Sequence, residues 1–241
     1  MRIAILGYGK MGKEIEKISL ERNHSISLVI DINNLEEFTA KNLNNSDVAI
    51  DFSVPDSAYK NILKCFEADI PIVSGTTGWL DKYDEIIKIC KEKNKSFFYA
   101  SNYSLGVNIL FFINNQLAKI MNKFPDYQVK IDETHHTQKL DKPSGTAISL
   151  ANDIIKQINR KTKWELAGQV SENTLNINSF RIENVFGIHE ISYDSPVDVL
   201  KIKHSAKSRK GFAVGAILAA EYIIDKKGVF QMENLLGFQK S

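Results

Sequence analysis

The sequence has few of the features that mark secreted, membrane or nucleic-acid-binding proteins. Its two cysteines, Cys65 and Cys90, lack the Cys-x-x-Cys spacing of a redox or metal site and are expected to be reduced core thiols. With 31 basic and 29 acidic residues, the net charge of +2 argues against nucleic acid or an anionic membrane as a partner. No apolar run approaches the roughly 20 residues needed to span a bilayer, and no signal-peptide pattern follows Met1. We therefore expect a cytoplasmic protein.

The first hundred residues alternate short apolar runs with amphipathic helical patterns. Runs typical of buried strands cover residues 2–6, 26–31, 47–53, 70–77 and 96–102. This alternation predicts an α/β fold with a Rossmann-type, doubly wound parallel sheet, which binds ligands beyond the carboxyl ends of its strands.

The segment GYGKMG, residues 7–12, lies between the first predicted strand and the first helix. In that context Gly7 permits a tight turn, Gly9 lets a pyrophosphate approach the backbone, and Gly12 lets the helix pack closely on the strand. The helix N-terminus adds free N–H groups. The residues expected to bind a nicotinamide dinucleotide here are Gly7, Tyr8, Gly9, Lys10, Met11 and Gly12.

Asp31 ends the second strand, where a carboxylate accepts hydrogen bonds from the ribose hydroxyls of the adenosine. No arginine follows it to bind a 2′-phosphate, although Lys10 and Lys13 are close in sequence. These residues favour NADH, with NADPH as the less preferred cofactor. Small and polar residues at the ends of the third, fourth and fifth strands are expected to complete the cofactor crevice: the segment 51–55, Gly75, Thr76, Thr77, Ser101, Asn102, Tyr103 and Ser104.

After Asn102 the pattern changes to long helices beside a run of consecutive extended segments. Such an arrangement predicts an inserted α+β domain, for substrate binding and oligomerisation, at residues 105–208. The dinucleotide-binding domain would comprise residues 1–104 and 209–241. It would include a final apolar helix over 211–228, with Gly228 as its C-terminal stop.

The stretch ETHHTQKLDKPSGT, residues 133–146, combines two histidines, a lysine and a helix start. An imidazole and an ammonium group can transfer protons, and the N–H groups at a helix start can bind a carboxylate. Adjacent histidines on a strand point to opposite faces, so no metal site is expected. A surface histidine pair beside an ordinary helix cap is the alternative interpretation.

Six motifs distributed over nearly the whole chain resemble those of the 4-hydroxy-tetrahydrodipicolinate reductase (dihydrodipicolinate reductase) family. They are GYGKMG, DFS, SGTTG, SNYSLGVN, ETHHTQKLDKPSGTA and HSAKSRKGFAVGA. The resemblance implies nicotinamide-dependent reduction, with loss of water, in lysine and diaminopimelate biosynthesis. It also implies a homotetramer formed through the inserted domain.

The same resemblance implies roles for single residues. His135 matches the family's acid/base histidine and Lys139 its proton-donating lysine. Contacts to a small cyclic dicarboxylate substrate are implied for His136, Ser144, Gly145 and Thr146. One departure is Ile188, which precedes His189 where the family usually has an acid.

Two other functions remain open at this point. Another two-domain nicotinamide dehydrogenase, acting on an amino acid or a semialdehyde, explains the first hundred residues but not H-H-x-x-K followed by S-G-T. A nicotinamide-sensing regulator predicts a DNA-binding module or a basic surface, and the sequence shows neither.

Overall fold

The structure, a computed structural model, describes residues 1–167, 171–208 and 210–238. In chain order its strands are β1 (Arg2–Leu6), β2 (Ser25–Ile30), β3 (Val48–Asp51), β4 (Ile72–Ser74), β5 (Ser96–Tyr99), β6 (Gln128–His135), β7 (Lys163–Leu166), β8 (Thr174–Arg181), β9 (Gly187–Asp194), β10 (Val199–Ala206) and β11 (Gly228–Phe230). Its α-helices are α1 (Lys10–Glu21), α2 (Ala40–Leu43), α3 (Pro55–Glu67), α4 (Tyr83–Glu92), α5 (Leu105–Met121), α6 (Gly145–Gln157), α7 (Lys210–Ile223) and α8 (Met232–Leu236).

The chain divides into two compact units. Unit 1 is Met1–Leu105 with Lys210–Ser241, and unit 2 is Gly106–Arg209. Each division falls one residue after the predicted domain boundary, and Arg209 itself lies outside the described residues. None of the described helices is long and apolar enough to cross a membrane.

Unit 1 contains a six-stranded parallel sheet in the order β11-β5-β4-β3-β1-β2. Strand β1 is buried on both faces, which explains its continuous apolar run. Ile3 and Ile5 pack in one hydrophobic layer with α1 and α7. Ala4 and Leu6 pack in the other layer with α3 and α4. The predicted doubly wound Rossmann-type sheet is confirmed.

The prediction that Gly228 stops the last helix is wrong. Helix α7 ends at Ile223, and Gly228 begins β11 at the edge of the sheet. The N–H of Gly228 donates to the carbonyl of Lys95 at 2.7 Å, and the strand then pairs with β5. Pairing with an open sheet edge therefore determines the conformation of this segment, and so short a strand has no periodic signal in the sequence.

Unit 2 contains a mixed sheet in the order β10-β9-β6-β8-β7. Strands β6, β7 and β8 run parallel, whereas β9 is antiparallel to both β6 and β10. Helices α5 and α6 pack on one face, against alternate residues such as Ile131 and Ile191. The expected α+β arrangement is therefore present, and the outer face carries polar residues such as Lys130 and Lys201.

Candidate active site

A cavity of about 440 Å³ lies at the carboxyl ends of β1, β3 and β4 in unit 1. Its lining consists of Gly9, Lys10, Met11, Phe52, Ser53, Pro55, Gly75, Thr76 and Thr77. The structure thus brings together the predicted glycine turn and the loop after β4. Phe52, Ser53 and Pro55 belong to the segment 51–55 at the end of β3, which the sequence also places at the crevice.

The three glycines of the turn differ in the space that surrounds them. Gly7 has φ +93°, and a Cβ there would lie 2.3 Å from the carbonyl oxygen of Phe52. A Cβ on Gly12 would lie 2.2 Å from the carbonyl oxygen of Gly7. A Cβ on Gly9 would meet nothing within 4 Å, although Gly9 lines the cavity. Backbone packing therefore requires Gly7 and Gly12, whereas Gly9 leaves open space where a ligand could approach.

Asp51, the last residue of β3 and the first of the segment 51–55, organises this end of the sheet. Its buried carboxylate accepts hydrogen bonds from Ser53 Oγ at 2.7 Å, Thr76 Oγ1 at 2.8 Å, Asn61 Nδ2 at 2.9 Å and Ser74 Oγ at 3.0 Å. Burial raises the pKa of Asp51, and these four donors oppose that rise. The carboxylate thereby fixes two residues of the cavity wall, Ser53 and Thr76. The available sequence signal was an acid at a strand end followed by hydroxyl residues.

Tyr8 and Asp31 are among the predicted cofactor residues outside the lining of this cavity, but both remain at the same end of the sheet. The Tyr8 hydroxyl donates to the Glu16 carboxylate, and the Lys13 ammonium lies 5.7 Å from the centre of the Tyr8 ring. Asp31 is half-buried, and its Oδ1 accepts the N–H of Ile32 at 2.6 Å. Its other oxygen makes no hydrogen bond within the described chain, so it could accept one from a ligand.

The segment 101–104 is arranged differently from the expectation for a cofactor-facing loop. Tyr103 is only 1% exposed, and its hydroxyl donates to the carbonyl of Ser74 at 2.8 Å. Asn102 Oδ1 accepts the N–H of Ser104, which is also buried, whereas Ser101 is exposed. The ring of Tyr103 belongs to the core, so only its backbone could contact a cofactor.

In unit 2, polar side chains form a row across four strands on the face that α5 and α6 cover. Glu133 on β6 pairs with Ser179 on β8 and with His189 on β9, which in turn pairs with His204 on β10. Glu133 is fully buried. Its Oε1 accepts from Ser179 Oγ and, at 3.0 Å, from Arg181 Nη1.

The other oxygen of Glu133, Oε2, contacts Nδ1 of His135. Burial alone would raise the pKa of Glu133, but His135, Ser179 and Arg181 outweigh burial and lower this pKa to about 2. Glu133 is therefore a carboxylate anion at neutral pH, in contact with one histidine and one arginine.

The two adjacent histidines have different surroundings, as expected for neighbours on a strand. His135 is 8% exposed, and its ring packs edge-to-face on His189 with centroids 5.1 Å apart. A Cβ on Gly187 would lie 3.1 Å from His135 Nε2, so the glycine leaves room beside this atom. His136 instead lines a second cavity of about 540 Å³. The other residues of that lining are Thr137, Gln138, Glu183, Asn184, Val185 and Phe186.

Arg181 connects the histidine cluster with the loop that carries Lys139. Besides Glu133, its guanidinium donates to the carbonyl of Lys139 at 3.2 Å and to that of Asp141 at 2.5 Å. The Lys139 ammonium is paired with the Asp141 carboxylate at 2.8 Å. One buried arginine therefore fixes the backbone of the predicted catalytic lysine relative to the predicted catalytic histidine.

Ser144 caps α6. Its Oγ accepts the N–H of Ala147 at 3.2 Å and lies 3.1 Å from His189 Nε2. Because Ser144 is 2% exposed, its hydroxyl is largely committed to these contacts. The N–H groups of Gly145 and Thr146 make no hydrogen bond within the described residues, so this helix start is available to a carboxylate.

Donor atoms of Glu133, His135 and His189 lie within 4.8 Å of one another, which is close enough for a metal ion. The Arg181 guanidinium already occupies the Glu133 carboxylate and would repel a cation there. The expected absence of a metal site stays a prediction.

Ile188 pairs with Thr134 and Ser205 and alternates with His189, so its side chain lies on the other face of the sheet. The missing acid therefore removes no group from the histidine cluster.

Comparison with known proteins gives consistent matches over both units. Residues 1–103 match the family model for the N-terminus of dihydrodipicolinate reductase, and residues 106–236 match that for its C-terminus. A 4-hydroxy-tetrahydrodipicolinate reductase from Christiangramia forsetii is 50% identical over 238 residues, 98% of either chain. Another from Bdellovibrio bacteriovorus is 34% identical over 243 residues, 100% of this chain and 98% of its own. A dipicolinate-bound dihydrodipicolinate reductase from Paenisporosarcina sp. TG-14 has the same fold, with TM-score 0.80, 21% identity and coverage of 97% and 98%.

Proposed function

The chain belongs to the dihydrodipicolinate reductase family, and from this premise we propose that it reduces 4-hydroxy-tetrahydrodipicolinate to tetrahydrodipicolinate. The reaction removes the 4-hydroxyl as water and serves lysine and diaminopimelate biosynthesis. The observation that carries the proposal is the arrangement of one stretch, residues 133–146. It combines a buried histidine on an anionic carboxylate, a lysine tied to the same cluster, and an open helix start.

The cavity of unit 1 suits a dinucleotide, because Gly9 leaves open space beside backbone at the start of α1. When bound, the nicotinamide cofactor supplies the hydride. Gly9, Lys10 and Met11 would hold the pyrophosphate, and Gly75 to Thr77 would line the path towards the nicotinamide. Asp31 would accept from the adenosine ribose through its free carboxylate oxygen.

The residues of unit 2 would handle the proton and the two carboxylates of the substrate. We assign proton transfer to His135, through the Nε2 atom beside Gly187, and to Lys139. The helix start at Ser144, Gly145 and Thr146 would bind one carboxylate, and His136 would contact the substrate from the second cavity.

Three further parts of the proposal concern cofactor choice, assembly and location. Asp31, with no arginine after it, favours NADH over NADPH. The polar outer face of the unit 2 sheet, opposite α5 and α6, offers a surface for a homotetramer. As a soluble biosynthetic reductase the protein would work in the cytoplasm, with neither nucleic acid nor a membrane as partner.

A coupled assay tests the proposed reaction. The substrate is generated from pyruvate and aspartate semialdehyde by the preceding enzyme, and loss of NADH absorbance is followed after this protein is added. We expect loss that requires both the preceding enzyme and this protein, with NADPH as a slower donor. If neither cofactor is consumed while the protein is folded, the proposed function is wrong. Oxidation of an amino acid with NAD⁺ would instead indicate the other dehydrogenase class.

A further inference from the structure

We propose that Glu133 is the positioning residue of His135. It keeps a proton on Nδ1 of the imidazole, which leaves Nε2 as the atom that exchanges protons in the reaction. The catalytic part of this inference rests on the proposed function, whereas the choice of tautomer does not.

The first support is the contact itself. Nδ1 of His135 and Oε2 of Glu133 are both buried and in contact, and neither atom has a hydrogen-bond partner elsewhere among the described residues. A carboxylate anion can only accept a hydrogen bond, so the proton of a neutral imidazole must lie on the nitrogen that faces it. Residues 133 and 135 are two apart on β6, so both side chains lie on the same face and the pair is fixed by the strand.

The second support is the way in which the carboxylate is held. Oε1 of Glu133 accepts from Ser179 and Arg181, both on the parallel neighbour β8. These donors occupy one oxygen and leave Oε2 for the histidine. They also supply the hydrogen bonds that a buried carboxylate requires, so the anion is stable where it can orient His135.

The third support is the freedom of the other nitrogen. Nε2 of His135 lies beside Gly187, where the nearest side-chain position is empty because the residue is glycine. Arg181, which binds Glu133, also binds the carbonyl of Lys139. The positioning residue of the histidine is therefore anchored by the same guanidinium that anchors the lysine loop.

Glu133→Gln tests the inference because it reverses one hydrogen bond with little change in shape. The glutamine oxygen can still accept from Ser179 and Arg181, so its amide group would face Nδ1 of His135 and donate to it. That arrangement requires the proton on Nε2. We expect kcat to fall on the order of 10- to 100-fold, the scale seen when the hydrogen-bonding partner that orients a metal-bound histidine is removed, with the KM for NADH unchanged.

The spectroscopic readout is ¹⁵N NMR of the His135 imidazole without substrate. We expect a protonated Nδ1 in the parent neutral imidazole and a protonated Nε2 in Glu133→Gln. Glu165→Gln is the matched control, since Glu165 lies in the same sheet, on β7, and is paired with Lys163; neither kcat nor the His135 resonances should change. A parent imidazole with the proton on Nε2, or a Glu133→Gln variant with the kcat of the parent, would overturn the inference.

The two proposals can fail separately. If the parent protein does not reduce the substrate, the proposed function fails, and the NMR measurement still decides the tautomer. If Glu133→Gln does not fold, the parent spectrum alone decides, because a protonated Nδ1 supports the inference and a protonated Nε2 overturns it.

Discussion

The Nε2 atom of His189 lies 3.1 Å from the hydroxyl oxygen of Ser144, so the sheet of unit 2 is in direct contact with the cap of α6. Burial, with a further contribution from His135, lowers the pKa of His189 to about 4. The contact at neutral pH is therefore made by an uncharged imidazole. It holds the helix start in place without adding charge to it.

From this arrangement we predict that dipicolinate inhibits competitively with the substrate and that Ser144→Ala weakens the inhibition. Loss of the cap should also lower the free energy of unfolding by about 0.5–2 kcal/mol. Inhibition constants and urea unfolding measure the two effects. Thr39→Ala is the control, because Thr39 caps α2 in unit 1 and should change stability alone. Inhibition competitive with NADH but not with the substrate would contradict the proposed carboxylate site.

His135→Ala and Lys139→Ala should each slow turnover on the order of 10²- to 10⁴-fold, the usual contribution of a positioned proton-transfer group. Affinity for NADH should barely change, since both residues belong to unit 2. Steady-state rates and cofactor titration measure these quantities. If a variant keeps nearly normal turnover, the substituted residue does not have the proposed catalytic role.

Exchange of Asp31 for serine together with Ile32→Arg should shift the cofactor preference towards NADPH. A 2′-phosphate near Asp31 meets like-charge repulsion of order 1–4 kcal/mol per charge pair in partly exposed surroundings. Ile32 is exposed, so an arginine there has room to reach a phosphate. Dissociation constants for both cofactors, in the parent and in the double variant, check the prediction. A strong NADPH preference in the parent would mean that Lys10 and Lys13 outweigh Asp31.

Gly215→Ala in α7 should lower the free energy of unfolding by about 1–3 kcal/mol. A Cβ there would lie 1.8 Å from the carbonyl oxygen of Tyr103, so the helix must shift away from the segment that follows β5. Gly211→Ala, in the same helix, is the control, because its Cβ would lie 4.0 Å from the nearest atom. It should be neutral or stabilising by up to about 1 kcal/mol, since alanine favours helix. Equal effects of the two substitutions in urea unfolding would contradict this account.

The low pKa of Glu133 predicts how stability depends on pH. Its ordinary pKa is 4.5 and its pKa in the folded protein is about 2, so the anion stabilises the folded state above the higher value. That contribution is lost as the pH falls from 4.5 to about 2. The difference in free energy of unfolding between the parent and Glu133→Gln should therefore shrink between about pH 6 and about pH 3. A difference that stays constant over this range would mean that Glu133 is not held as an anion.

The parts of the fold that follow from local patterns were predictable from the sequence. The buried run of β1 and the positions of Gly7 and Gly12 each leave a signature within a few residues. The strand β11 leaves none, because three residues beginning with Gly228 have no measurable periodicity. Its conformation depends on pairing with β5, which lies far away in the sequence.

The candidate site shows the same limit. Glu133 and His135 share a face of one strand, so their contact could have been inferred from their spacing alone. Arg181 could not, because its proximity depends on β6 and β8 pairing in parallel across a long connection. Tyr103 shows the opposite case: the sequence placed it correctly after β5 but gave no information on which way its ring points.

The division of unit 1 into two chain segments has a consequence during synthesis on the ribosome. Strand β5 emerges before unit 2, whereas its neighbour β11 and the covering helix α7 emerge after it. At about 5–20 residues per second, the intervening segment takes roughly 5–20 s to translate. Throughout that interval the nascent sheet has an unpaired edge, and the apolar face that α1 and α7 share is only partly covered. Unit 2 can therefore fold first. The sheet that carries the cofactor site is therefore completed last, and its completion is timed by translation.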